Sequence, residues 1–146
     1  MKYRRLEHTA DLKVEIYGKD WQELFANAAW MLFDVMLDLT RVKETKVHNI
    51  ELHSTDAAEL FLDWLRELLF LFSTQGLVAK RVLINEINPA GASLRASIHG
   101  ETYEPSVHGL KIEIKTPTYH QYSIEEIKGE KEEGQPHLKA TVIFDV

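Results

Sequence analysis

Residues 77–99 read LVAKRVLINEINPAGASLRASIH. The two outer runs are rich in Val, Leu and Ile, and Asn88-Pro89-Ala90-Gly91 between them is a turn signature. The stretch reads as a β-hairpin, with strands over 77–87 and 93–99. Downstream of it no helical period appears. Leu110, Ile112 and Ile114 alternate with Lys111, Glu113 and Lys115, the period of two expected of a half-buried strand. Residues 119–127 are placed to pair with 137–144, across an exposed charged connection at 128–134. Val142, Ile143 and Phe144 are apolar in succession, which predicts a central strand covered on both faces.

Upstream of the hairpin the pattern is mixed. Leu12, Val14 and Ile16 alternate with Lys13, Glu15 and Tyr17 until Gly18 ends the run. Asp20 and Glu23 then form a capping pair, and Trp21, Leu24, Phe25, Ala28, Leu32, Phe33 and Met36 recur at three and four, an amphipathic helix of about five turns. A polar loop over 40–46 and a strand over 47–52 follow. Asp56 and Glu59 repeat the cap, Leu60, Trp64, Leu65, Leu68, Leu69 and Phe72 mark a second helix, and Gly76 stops it. Two helices do not cover both faces of so many strands. The expected fold is therefore α+β: a two-layer sandwich with two main helices packed on a mostly antiparallel sheet, one domain over residues 1–146.

Composition narrows the function. The chain has 146 residues and a formal net charge of −6, which argues against a protein that grips nucleic acid by itself, since that requires clustered Lys and Arg. No cysteine is present, so disulfides, zinc knuckles and thiolate catalysis are excluded, and a cytoplasmic location is expected. The apolar run 60–72 contains Asp63, Arg66 and Glu67 and falls short of the roughly 20 residues of a membrane span. Signatures such as H-E-x-x-H, a glycine-rich phosphate loop or G-x-S-x-G are absent.

Three clusters carry candidate chemistry. Glu7-His8-Thr9-Ala10-Asp11 interrupts an otherwise strand-like region with three groups that bind protons or metals; a solvated loop gives the same composition. At the other end, Phe144-Asp145-Val146 places the Asp145 side chain beside the α-carboxylate of Val146, directly after an apolar strand. Adjacent carboxylates raise each other's pKa unless a cation neutralises them, and such oxygen-rich sites suit Ca²⁺, Mg²⁺ or Mn²⁺; a plain solvated terminus is the alternative. If the first and last strands are neighbours, Asp11 joins Asp145. The third cluster is Lys111, Glu113 and Lys115 with Thr118, Tyr119 and His120, where a wet strand face is the simpler reading.

Taken together, four blocks in register resemble the archease family: E-H-T-A-D at 7–11, the apolar helix around Asp63-Trp64-Leu65 and Glu67-Leu68-Leu69, the stretch from Gly100-Glu101 through His108 to Lys115 and Thr118-Tyr119-His120, and V-I-F-D-V at the end. The resemblance implies a metal-binding accessory protein, not an enzyme in its own right, that promotes guanylylation and multiple turnover of an RtcB-type RNA ligase in tRNA splicing. RNA contact is then at most indirect. Family metal-binding positions match Asp11, Asp145 and Val146, with calcium the first expectation and magnesium or manganese the alternatives. A family functional lysine matches Lys115, and His8 and His120 lie within family motifs. Thr116-Pro117 departs from the small apolar residues common in the family, and Val107 stands where a basic residue is common; the proline predicts that the strand ends or bulges there. Two other classes compete: a stand-alone metal-dependent hydrolase using His8, Asp11, His120 and Asp145, and a general chaperone or interaction module.

Overall fold

The computed structural model describes residues 1–146 except Thr9, Glu130 and Lys131. Thr9 of the 7–11 motif and part of the charged 128–134 connection thus lie outside the described residues. The elements run β1 (Tyr3–Leu6), β2 (Leu12–Gly18), α1 (Trp21–Met36), a 3-10 turn (Leu39–Arg41), β3 (Lys46–His53), α2 (Ala57–Gln75), β4 (Leu77–Asn88), β5 (Ser93–Thr102), α3 (Pro105–His108), β6 (Thr116–Pro117), β7 (Ser123–Glu126) and β8 (Leu138–Asp145).

Local chemistry accounts for both long helices. The Asp20 side chain accepts from the Glu23 amide at 2.8 Å while the Glu23 carboxylate accepts from the Lys19 amide at 3.0 Å, a reciprocal cap that satisfies otherwise orphaned donors. Asp56 accepts from the Glu59 amide at 2.8 Å. Gly76 closes α2 at φ 66°, a left-handed conformation that glycine adopts without steric cost.

The fold is α+β and every strand pairing is antiparallel. The strands divide into two sheets where the sequence suggested one: β1-β2-β8-β6, with β7 also on β8, and β3-β5-β4. Both helices touch both sheets. The burial of α1 explains how. Leu24, Phe25, Ala28, Ala29, Met31, Leu32, Phe33, Val35 and Met36 are all buried, too wide a spread for a helix lying on one surface. Each sheet therefore supplies an apolar face to the same helices, and the core forms between them. Phe25 meets Phe61 edge-on at 5.1 Å between ring centroids, and Trp64 packs beside them.

As its composition predicts, β8 is central, flanked by β2 on one edge and by β6 and β7 on the other, with Val142, Ile143 and Phe144 all buried. The predicted strand over Leu110–Ile114 does not form. Leu110 makes one isolated bridge to Leu37, and residues 111–115 are irregular. The cause is visible in the hydrogen bonds: the Lys111 amide donates to the Met36 carbonyl at 2.7 Å and the Lys115 amide to the Asp145 carbonyl at 2.9 Å. The segment crosses from the end of α1 to the end of β8 and runs alongside neither. The alternation still has meaning, because Ile114 is buried. Among the described residues no helix is long and apolar enough to cross a membrane.

Candidate functional site

The site grows from the register of β2 against β8. Leu12 faces Phe144, and the pairing continues through Val14–Val142 to Gly18–Leu138. The ladder ends at the Leu12–Phe144 rung; Asp11 lies one residue beyond it in a bend, and Asp145 one residue beyond it at the end of β8. On the other edge of β8, Thr116 faces Asp145, and the amide of Lys115 holds the Asp145 carbonyl. Three separate parts of the chain therefore deliver Asp11, Asp145 and Lys115 to one end of one sheet. The apolar residues immediately behind them, Leu12, Ile143 and Phe144, are buried and fix the rim from within.

His8 belongs to this end of the molecule. Its Nδ1 contacts the Asp11 carboxylate. Together with Arg5 and Glu7 they line a cleft of about 600 Å³ next to the rim. Asp145 and Lys115 lie outside the lining of that cleft; both are exposed, as is Val146. Among the described residues no three His, Asp or Glu side chains are grouped to hold one ion. The donors expected from the sequence are the side chains of Asp11 and Asp145 and the main-chain carboxylate of Val146; His8 engages Asp11. All three are hard, anionic oxygen donors, the chemistry that calcium, magnesium and manganese accept.

His120 is placed differently. Seven residues separate Thr116 from Ser123, against four between their β8 partners Asp145 and Thr141. The three extra residues form a bulged turn, as Pro117 predicts, in which Gln121 takes φ 55° and the Tyr122 amide donates to the Tyr119 carbonyl. Its two tyrosines grip the start of α2. The Tyr119 hydroxyl donates to Glu59, and the Tyr122 hydroxyl donates to the Ala58 carbonyl at 2.6 Å while its ring stacks on Phe61. Lys13 donates to Gln121 at 2.8 Å, which ties the turn to β2. His120 itself is exposed and bonds to no described residue, so the structure brings it near the site without joining it to Asp11.

Two polar assemblies escape sequence reading. Arg66 bridges Glu59 at 3.2 Å and Asp63 at 2.9 Å and lies over the Tyr119 ring at 5.3 Å, so these two acids of α2 are engaged. The i, i+3 spacing of Asp63 and Arg66 was the available signal. The second is His108, 1% exposed, whose Nδ1 accepts from the Glu104 amide at 2.9 Å and whose Nε2 contacts the Glu101 carboxylate. This pair pins the loop that leads into residues 109–115. Its hydrogen bond to His108 is the main reason the Glu101 carboxyl is held below the usual carboxylate range.

Comparison with known proteins identifies the fold. Residues 3–146 match the model of the Archease protein family (MTH1598/TM1083). A protein archease of Methanosarcina mazei is 37% identical over 147 residues, covering 99% of this chain and 96% of that protein. The solution structure of Methanobacterium thermoautotrophicum protein 1598 superposes with a TM-score of 0.73 at 30% identity, covering 99% of both chains. The crystal structure of an archease from Thermotoga maritima, described as a possible chaperone, superposes with a TM-score of 0.58 at 23% identity over 98% of this chain and 96% of that one, a likeness of fold.

Proposed function

The chain belongs to the archease family, and from that premise we propose that it is a metal-binding accessory protein of an RtcB-type RNA ligase, promoting ligase guanylylation and multiple turnover in tRNA splicing. The observation that carries this reading is the convergence of Asp11, Asp145 and Lys115 at the β2–β8–β6 rim. Asp11, Asp145 and the Val146 carboxylate would hold a divalent cation, calcium first, with magnesium or manganese as alternatives. Such a cation, when bound, neutralises negative charge where phosphate oxygens gather.

The chain's own residues have separable roles. The buried ladder behind the rim holds the strand ends that carry the two aspartates, and loading draws their side chains together around the ion. His8 orients Asp11. Lys115 carries an ammonium with no carboxylate within 4.0 Å among the described residues, leaving it available for a phosphate or an acidic residue of the ligase. The net charge of −6 supports a protein that acts on the ligase and not on the RNA.

The deciding experiment is multiple-turnover RNA ligation by the RtcB-type ligase of the same organism, with wild type and Asp145→Asn. Acceleration by wild type alone supports both the accessory role and the acidic rim. No effect of wild type on a competent ligase overturns the reading.

A further inference from the structure

Phe70 breaks the pattern of its helix. It is 56% exposed on α2 between Arg66 and Ser73, whereas neighbouring Leu68, Leu69 and Leu71 are buried. It borders a groove of about 330 Å³ whose other wall is the irregular segment before β6. Leu69 and Ile114 form its apolar floor, and Lys115 and Glu113 stand at its rim. Arg66 is neutralised by Glu59 and Asp63, so Lys115 is the groove's available cation.

The wall opposite Phe70 has an unusual backbone. Residues 111–115 have the alternation of a strand but no strand partner. The amides of Ile112, Glu113 and Ile114 donate no hydrogen bond to any described residue. Backbone donors without a partner among the described residues, an exposed aromatic ring and an unpaired cation together make a receptor for extended peptide: main-chain bonds give affinity, and side-chain pockets give specificity.

We infer that this groove docks an extended segment of the ligase, seating an apolar side chain against Phe70 and Ile114 and a neighbouring carboxylate on Lys115. The inference rests on the proposed function and deepens it by naming a contact surface. Charge constrains the occupant: a carboxylate satisfies Lys115 and a cation satisfies Glu113 beside it, so the segment carries both signs next to its apolar residue. The groove reaches the site through Lys115, so a docked segment holds the rim against the ligase.

The test is the affinity of the purified ligase for wild type and for Phe70→Ser, with calcium titration of both forms and amide hydrogen exchange of residues 111–115. Phe70 is exposed, so the substitution leaves the core intact. The expected result is about tenfold weaker ligase binding, the scale of an aromatic anchor, unchanged calcium affinity, and slowed exchange at Ile112–Ile114 when the ligase is added to wild type. Equal ligase affinity for both forms, or unchanged exchange, overturns the groove while leaving the Asp145 result to decide the accessory role. If wild type does not bind the ligase at all, the accessory reading fails and the groove with it. A drop in mass of the protein alone on Phe70→Ser, by sedimentation, assigns the groove to a second copy of the chain and overturns its assignment to the ligase.

Discussion

The indole Nε1–H of Trp64 donates to the carbonyl oxygen of Phe25 at 2.9 Å, a buried bond that joins the two long helices. Both residues are inaccessible to solvent. Trp64→Phe removes the bond and keeps most of the ring, and a loss of about 1 kcal/mol is expected. Trp64→Ala also opens a cavity and is expected to cost about 3–5 kcal/mol. Urea unfolding of the three proteins checks the order; equal midpoints for wild type and Trp64→Phe would mean the bond contributes nothing net.

Gly100 sets a second limit. A Cβ at this position would stand 1.7 Å from the Val78 carbonyl oxygen, where β5 meets the irregular rung near Ala79 of β4. That contact is backbone, so a side chain is accommodated only by separating the strands. Gly100→Ala is expected to cost about 1–3 kcal/mol, the range of overpacked sites. Thermal melting provides the measurement.

Acid sensitivity should pass through Glu101. Its carboxyl is held low chiefly by the hydrogen bond to His108, with help from the Lys43 backbone and charge. A carboxyl whose folded pKa is depressed contributes stability above its unfolded pKa and loses it as pH falls through the folded value. The melting temperature of wild type should therefore exceed that of Glu101→Gln at neutral pH, and the two curves should converge at a pH below the ordinary carboxylate range of about 4. Parallel curves down to the lowest pH would remove Glu101 from the acid response.

At the rim, Asp11→Asn and Asp145→Asn are each expected to weaken calcium binding by about tenfold or more, since ligand charge sets affinity at oxygen-donor sites. Residues appended after Val146 convert its carboxylate to an amide and should weaken binding similarly. Lys115→Ala should retain calcium affinity and lose stimulation of the ligase. Calorimetric titration separates these cases, and unchanged affinity in the extended form would take Val146 out of the site.

Much of this arrangement was legible in the sequence because it rests on local chemistry. The caps at Asp20 and Asp56, the stop at Gly76 and the buried run Val142-Ile143-Phe144 depend on neighbouring residues alone, and all are found as expected. Strand partners are not local. Nothing near Leu77 states that β4 and β5 join β3 in a sheet separate from β8, and nothing near Leu110 states that its amide neighbour Lys111 bonds to Met36. The same division governs the site. Asp11 and Asp145 were identified by residue type and stand at the same end of the β2–β8 ladder, whereas the engagement of Glu59 by Tyr119 joins residues 60 positions apart. Tyr119 belongs to a cluster whose simpler reading was a wet strand face, yet with Tyr122 it anchors the turn to α2.

The position of β8 in the chain has a temporal consequence. It is the central strand of its sheet, yet every other described element precedes it. During synthesis, the β1–β2 pair, β6 and β7 emerge from the ribosome without the strand that joins them, while β3, β4 and β5 already have their partners. The second sheet has the means to assemble on the growing chain; the first must wait for its last strand. Such long-range closure is slow and leaves strand edges open meanwhile. The acidic rim, built on β8, and the groove beside it, whose wall is tied to β8 through the Lys115 amide, thus come into being only once β8 is in place, and a chain lacking that strand has no means to present them to a partner.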